Sequence, residues 1–110
     1  MKLTEKQFQK QVIQLAKLRG WRVAHFRPAR VTKGGKETWR TPVEGHNGFP
    51  DLVLARDGFV LLVELKTDTG TLSDDQERWL LAAQKVAAVW RPQNWPHIEA
   101  VLRDGVACRQ

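Results

Sequence analysis

The chain has 110 residues, enough for one folded domain, residues 1–110, with a core of its own. Its single cysteine, Cys108, excludes an internal disulfide and a cysteine-rich zinc site, and indicates a reducing location such as the cytoplasm. The formal charge is +6, and no apolar run reaches the roughly 20 residues of a membrane-spanning helix, so we expect no membrane partner.

The positive charge is distributed unevenly along the chain. Residues 1–49 contain 11 Lys or Arg and 3 Asp or Glu, whereas residues 50–110 contain 7 and 9. A basic half next to an acidic half is typical of a polyanion-binding surface beside a cation-binding centre, because Lys and Arg contacts to phosphate dominate nucleic-acid affinity. Solvated helix faces also carry charge runs, so both interpretations remain open at this point.

The first predicted element is an amphipathic helix. Thr4 and Gln7 have the spacing of a capping box, Gly20 is suited to end the helix, and the apolar residues recur with helical period at Phe8, Val12, Leu15 and Ala16. Glu5 shares the apolar face of this helix and would point towards a sheet. A carboxylate in the first turn also complements the helix dipole, so two roles are open for Glu5.

A first strand is predicted over residues 21–27, which alternate in part between apolar and polar side chains and lie between Gly20 and Pro28. His25 and Arg27 would then share one face of the strand, where both could approach a phosphate group. A lone strand histidine is more often structural, and that interpretation stays open for His25.

Residues 28–47 form a long basic segment around the pair Gly34-Gly35, which predicts a protruding hairpin. Its cationic residues stand on both sides of the glycines, at Arg30, Lys33, Lys36 and Arg40. A basic ribbon that also carries Trp39 suits a nucleic-acid groove, through phosphate pairing and base stacking. A mobile surface loop is the alternative.

The most informative stretch is a second hairpin, in which apolar runs flank Asp57-Gly58, a dipeptide typical of two-residue hairpin loops. If these two residues form the loop, the numbers of opposed residues sum to 115, and Asp51 lies directly opposite Glu64. Opposed residues share a sheet face with Cβ atoms about 4.5–5.5 Å apart, close enough for two carboxylates to bind one cation. Lys66 joins this face because the strand period is two residues.

The other face of this hairpin is predicted to be apolar and covered by a helix, with Leu52, Leu54, Phe59, Leu61, Val63 and Leu65. Like charges directly opposed in a sheet destabilise it unless a counter-ion is present, which favours a metal between Asp51 and Glu64. Salt bridges at the strand ends, made by Lys66 and the two carboxylates, are the alternative.

The remaining sequence predicts a helix, a strand and a second helix. Ser73 and Gln76 form another capping box, and the apolar residues that follow at helical period are Trp79, Leu80 and Ala83. Residues 86–91 suit a buried strand, which a crossover through the helix would place parallel to its neighbour. Residues 94–102 fit a short terminal helix.

Pro50-Asp51 followed by Glu64-Leu65-Lys66 resembles the signature of the PD-(D/E)XK nucleases. With Gly48-Phe49 before it and Leu72-Ser73 and Gln76 after it, the pattern is similar to the VRR-NUC branch of that superfamily in its stand-alone, phage-type form. The resemblance covers residues 4–92. It implies an α/β fold with a restriction-endonuclease-like αβββαβ core, in which helices flank a mixed central sheet.

The resemblance also implies a nuclease site. Members carry an acidic residue on the first helix that completes the metal site, here Glu5, and a glutamine close to the active site, here Gln76. Together with the hairpin register, the expected ligands of Mg²⁺ or Mn²⁺ are oxygens of Asp51, Glu64, Glu5 and the Leu65 backbone. The expected catalytic residues are Asp51, Glu64, Lys66 and Gln76.

Lys66 would orient or deprotonate the attacking water, or stabilise the pentavalent phosphate. The resemblance implies a 3′-hydroxyl leaving group and a 5′-phosphate product.

We therefore expect a structure-selective DNA endonuclease that acts in the cytoplasm of a bacterium or of a phage-infected cell. Similarity to members that resolve Holliday junctions implies branched DNA as substrate and a homodimer, because two symmetric cuts need two sites. The expected DNA contacts are His25, Arg27, Arg30, Lys33, Lys36 and Arg40. Two alternatives are a non-catalytic nucleic-acid-binding module and a restriction or repair nuclease with a sequence preference.

Overall fold

The structure is a computed structural model and describes residues 2–26, 29–40 and 43–105. Its elements follow the chain in the order α1 (Glu5–Leu18), β1 (Arg22–His25), β2 (Ala29–Lys33), β3 (Lys36–Arg40), β4 (Leu52–Arg56), β5 (Phe59–Leu65), α2 (Asp74–Ala82), β6 (Ala87–Trp90) and α3 (Trp95–Asp104). A 3-10 turn at Pro92–Asn94 precedes α3. None of the described helices is long and apolar enough to cross a membrane.

Both ends of α1 are set by local sequence. Thr4 accepts a hydrogen bond from the backbone N–H of Gln7, and the Gln7 side chain accepts one from Thr4, so the predicted capping box forms. At the other end Gly20 adopts φ 85° and the N–H of Trp21 reaches back to the carbonyl of Ala16. This Schellman-type ending needs a left-handed residue, which glycine adopts without steric cost.

The central hairpin has the predicted register. Strands β4 and β5 are antiparallel, with Leu52 paired to Val63 and Arg56 paired to Phe59. Asp57 and Gly58 form the loop, with φ of 52° and 84°, as a primed two-residue turn requires.

Four strands form a mixed sheet in the order β1-β4-β5-β6. Strand β1 is antiparallel to β4, and β6 is parallel to β5, which it reaches through the crossover helix α2. The elements α1, β1, β4, β5, α2 and β6 therefore form the predicted αβββαβ core, with helices flanking a mixed sheet.

The core is built from the apolar stripe of α1, one face of the sheet and the apolar side of α3. Its fully buried sheet residues are Leu52, Leu54, Leu61, Val63 and Leu65, as the alternation predicts. The expectation that Phe59 joins them is wrong, since this side chain is 53% exposed. Phe59 directly follows the exposed turn at Asp57-Gly58, at the end of the hairpin that lies furthest from Glu64.

Strand β1 begins at Arg22, one residue later than predicted, because the backbone N–H of Trp21 is used to end α1. Trp21 is buried and its indole N–H donates to the carbonyl of Leu102 in α3, 2.9 Å away. Arg56 lies 4.6 Å from the same indole ring and donates to the carbonyls of Arg19 and Leu102, both at 2.9 Å. One arginine on β4 thus joins the carboxyl-terminal ends of α1 and α3, where the helix dipoles favour a cation.

The basic segment forms a separate two-stranded ribbon, as the hairpin interpretation predicts. Strands β2 and β3 are antiparallel, with Lys33 paired to Lys36 and Arg30 paired to Trp39. Gly34 and Gly35 form the loop, with φ of 59° and 77°.

Candidate active site

Asp51 is held from both neighbouring strands. It immediately precedes β4, its backbone carbonyl accepts a hydrogen bond of 3.0 Å from the N–H of Phe26, and its Oδ2 accepts one of 2.9 Å from the N–H of Leu65. The Leu65 contact fixes the Asp51 carboxylate at the end of β5, beside Glu64. The predicted approach of the two carboxylates is therefore present in the fold.

Glu64 is a buried carboxylate with an incomplete set of partners. The residue is only 2% exposed, and its Oε1 accepts a hydrogen bond of 3.1 Å from Nε2 of Gln76. Within the described part of the chain, Oε2 has no hydrogen-bond partner. A buried carboxylate oxygen without a donor is costly, so this atom requires a proton or a cation.

The environment of Glu64 favours its protonated form when no cation is bound. Burial, followed by the negative charge of Asp51 and the hydrogen bond that a protonated Glu64 would donate to that carboxylate, raises the pKa of Glu64 from 4.5 to about 8. The positive charge of Lys66 opposes this increase in pKa, and the charge of Glu5 adds to it. The site thus concentrates negative charge, which a divalent cation would neutralise.

Gln76 makes two kinds of contact at the same time, one that caps α2 and one to the Glu64 carboxylate. Its side-chain oxygen accepts the N–H of Ser73 at 2.9 Å and its backbone N–H donates to Ser73 Oγ at 3.2 Å, which caps α2. The amide nitrogen remains available and donates to Glu64. The capping box therefore also orients the amide towards the carboxylate.

Lys66 is half-buried and follows β5 directly. Its N–H donates to the carbonyl of Trp90 at 3.1 Å, which extends the pairing with β6 by one residue. The next turn is held by Arg91, whose Nη1 donates to the carbonyls of Thr67 and Gly70, both at 2.6 Å. Sequence reasoning missed Arg91, because only the folded chain brings the end of β6 beside this turn.

Gly48 closes the site from the side of α2. Its φ is 90°, and a Cβ atom at this position would lie 2.6 Å from the backbone carbonyl carbon of Asp75. The segment before Asp51 therefore packs directly against the first turn of α2, the turn that carries Gln76. Gly48 belongs to the motif found in the sequence, but its close approach to α2 was not predicted.

Three aromatic rings line the border between this segment, β1 and α2. The ring centroid of Phe49 lies 5.4 Å from that of Phe26 and 4.9 Å from that of Trp79, and both pairs are perpendicular at 87°. The indole N–H of Trp79 donates to the carbonyl of His46 at 3.2 Å, which attaches the loop before Gly48 to α2. The aromatic triad, Phe26, Phe49 and Trp79, was not identified from the sequence.

Glu5 does not join Asp51 and Glu64 in a close cluster of carboxylates. It is exposed in the first turn of α1, although it is near enough to raise the pKa of Glu64. Among residues 2–26, 29–40 and 43–105, no group of three or more His, Cys, Asp or Glu side chains is arranged to hold a metal ion. The fold thus brings together Asp51 and Glu64 and leaves Glu5 as a more distant charge.

The described residues among those expected to contact DNA lie in two places, the end of β1 and the β2–β3 ribbon. His25 is half-buried at the end of β1, opposite Leu52, and Lys36 is exposed at the start of β3. Arg30 and Lys33 lie on β2 and Arg40 ends β3, so the ribbon carries four of the six candidates. Arg27 lies outside the described residues.

Comparison with known proteins identifies a family for this chain. The family model of the VRR-NUC domain matches residues 28–89, which are 62 of the 110 residues. The matched range contains Asp51, Glu64, Lys66 and Gln76 and begins after Glu5. Neither the curated proteins nor the solved structures give a match.

Proposed function

The chain belongs to the VRR-NUC domain family, and from this premise we propose that it is a metal-dependent deoxyribonuclease that hydrolyses phosphodiester bonds. The observation that carries the proposal is the buried Glu64 carboxylate, with one unpartnered oxygen, beside Asp51. Such a pair has no evident structural use, since opposed carboxylates destabilise a sheet.

The donor atoms of the site fit a hard divalent cation. Asp51 and Glu64 supply carboxylate oxygens, and Oε2 of Glu64 has no hydrogen-bond partner among the described residues. We include the Leu65 carbonyl and Glu5 in the proposed ligand set. Mg²⁺ and Mn²⁺ prefer such oxygen ligands and retain several waters. A bound cation would supply charge neutralisation at the phosphate and a water of lowered pKa.

The other side chains have distinct roles in this proposal. As an ammonium, whose charge opposes the increase in the Glu64 pKa, Lys66 orients the attacking water or stabilises the negative charge that develops on the phosphate; as a neutral amine it would accept a proton from that water. Gln76 holds the Glu64 carboxylate in one orientation through its amide. Cleavage would leave a 5′-phosphate and a 3′-hydroxyl.

The substrate we propose is DNA, and within it branched or four-way DNA. The positive half of the chain supports a polyanion, and the β2–β3 ribbon supplies Arg30, Lys33, Lys36 and Arg40, with His25 and Arg27 preceding it. A homodimer belongs to the same proposal, because one small domain has one site and symmetric cleavage of two strands needs two.

A panel of labelled DNAs tests the function. Linear, flap, splayed and four-way DNAs are incubated with the wild-type chain and with Asp51→Asn, each in Mg²⁺, Mn²⁺ or EDTA. Asp57→Asn is a matched control, since Asp57 is an exposed carboxylate in the hairpin turn and asparagine tolerates its positive φ. We expect metal-dependent cleavage by the wild type and by Asp57→Asn, fastest on branched DNA, and loss of at least about 100-fold in Asp51→Asn.

The panel also separates the alternatives. DNA binding without cleavage in any metal would reject the nuclease and favour a non-catalytic binding module. Cleavage of linear duplex at a fixed motif would reject structure selectivity and favour a restriction or repair enzyme. Junction cleavage by a species with the mass of one chain would reject the homodimer.

A further inference from the structure

The aromatic triad is tied to the carboxylate site through the backbone. Phe49 lies two residues before Asp51, and Trp79 lies three residues after Gln76 on α2, so both rings are attached to segments that carry site residues. Phe26 donates its backbone N–H to the carbonyl of Asp51. Because of these connections, the position of the triad is coupled to that of the carboxylates.

Phe26 is the exposed end of the triad. Its side chain is 41% exposed, whereas Phe49 and Trp79 are half-buried. Single exposed apolar side chains are common on protein surfaces and usually need no explanation, and Phe59 is such a residue beside its turn. Phe26 differs, since its ring stands edge-to-face against Phe49 and is held next to Asp51.

The partly exposed ring of Phe26 suits a flat apolar ligand, and the charge of the neighbouring residues indicates which class of ligand. The basic ribbon begins three residues after Phe26, at Ala29, so the chain next to Phe26 is rich in positive charge, which favours a polyanion as its ligand. Bases within a duplex are stacked on one another, so only an unpaired base can offer its face to a side chain.

We propose that Phe26, supported by Phe49 and Trp79, is a stacking platform for one unpaired nucleobase of the DNA strand held at the carboxylate site. The inference rests on the proposed function and adds a specificity-determining residue to it. The chain would then select DNA in which a base next to the bound phosphate is already unpaired, as at a branch point or in a single strand.

Binding without cleavage tests the stacking. The affinity for a labelled oligothymidine strand is compared, in EDTA, with that for a strand of equal length whose sugars lack bases, so that phosphate contacts are the same for both. We expect the wild type to bind the thymidine strand about tenfold more tightly, because stacking of one base on an aromatic side chain contributes about that much. Phe26→Leu should bring the ratio to about one, and Phe26→Trp should preserve it.

Phe59→Leu is the matched control, since it removes an exposed phenyl ring at the far end of the hairpin and should leave the ratio unchanged. Phe26→Leu retains an apolar contact with Phe49, and its circular dichroism spectrum is compared with that of the wild type. A 2-aminopurine base in the strand should lose fluorescence on binding the wild type, which requires no variant. An unaltered ratio in folded Phe26→Leu, a wild-type ratio of one, or unchanged 2-aminopurine fluorescence would overturn the stacking proposal.

Cleavage of the branched DNAs in Mg²⁺ is measured separately. A wild type that shows the tenfold ratio but never cuts DNA would reject the nuclease and retain the platform. A wild type that cuts DNA with a ratio of one would retain the nuclease and reject the platform.

Discussion

Gln76 donates a hydrogen bond from its side-chain amide to Oε1 of Glu64, over 3.1 Å. The donor belongs to the first turn of the crossover helix α2 and the acceptor to the central strand β5. The same amide completes the capping box with Ser73, so the start of α2 and the orientation of the buried carboxylate depend on one side chain.

Comparison of two variants separates the two roles of Gln76. Ser73→Ala removes the hydroxyl that accepts the Gln76 N–H but keeps the backbone N–H that orients the Gln76 amide, so it should cost about 1 kcal/mol of unfolding free energy, with cleavage per folded molecule little changed. Gln76→Ala removes the side-chain half of the capping box together with the contact to Glu64, so its cleavage rate should fall by about 10- to 100-fold, the usual cost of losing a group that orients a metal ligand. Urea unfolding and cleavage rates measure the two effects, and equal cleavage by both variants would show that the contact is only structural.

The stability of the metal-free protein should depend on pH through Glu64. The pKa of this carboxyl is about 8 in the folded chain against 4.5 when unfolded, so the folded chain binds the proton more tightly. Stability from this group is therefore present at low pH and is lost as pH rises from about 4.5 to about 8, by at most about 1.4 kcal/mol per pH unit.

Glu64→Gln removes this titration, since the amide stays neutral at every pH. The variant should exceed the metal-free wild type in stability at pH 8 and lose the advantage towards pH 5, as measured by urea unfolding in EDTA. Mn²⁺ should stabilise the wild type more at pH 8 than at pH 6, because the ionised carboxylate is the ligand. A wild type whose stability falls no more steeply than that of Glu64→Gln would contradict the assignment.

Gly48→Ala should disturb the approach of the Asp51 segment to α2. The substitution puts a side chain at φ 90° and brings its Cβ to 2.6 Å from the Asp75 backbone, so we expect a loss of more than about 2 kcal/mol and slower cleavage. Gly45→Ala is the control, since φ is 116° there but, apart from its chain neighbours, no described residue lies within 4 Å of the added Cβ. Similar losses in the two variants would mean that the Asp75 contact is unimportant.

Arg56 should contribute to stability without acting in catalysis. Arg56→Met loses the bonds to the carbonyls of Arg19 and Leu102 and the contact with Trp21, which together predict a loss of about 2–3 kcal/mol in urea unfolding. Arg78→Met loses only an exposed ion pair with Asp75 and should change stability by less than about 0.5 kcal/mol. Cleavage per folded molecule should match the wild type in both variants.

Much of the fold follows from local signals, and for a physical reason. The Asp57-Gly58 turn determines which residues oppose each other across β4 and β5, so the pairing of Asp51 with Glu64 could be predicted before any fold was known. The capping boxes at Thr4 and Ser73 likewise act over four residues. Interactions of this range are encoded in short stretches of sequence.

Contacts between distant elements could not be predicted in this way. The hydrogen bond from Gln76 to Glu64 depends on the path of the crossover, and the contacts of Arg56 depend on where α1 and α3 end relative to β4. The helical period of α1 predicts that Glu5 faces the sheet, but its distance from the carboxylates depends on how the helix packs, and Glu5 is exposed. The helical and strand periods predict which way a side chain points from its own element. They do not predict how far apart two packed elements lie.

Calorimetric titration with Mn²⁺ tests the central claim, that Asp51 and Glu64 form a divalent-metal centre. The titration is performed at pH 7.5 on the wild type, Glu64→Gln and the Asp57→Asn control. We predict saturable Mn²⁺ binding to the wild type and to Asp57→Asn, and affinity at least about tenfold weaker in Glu64→Gln. A wild type that binds no Mn²⁺, or a Glu64→Gln variant that binds it as tightly as the wild type, would contradict the account.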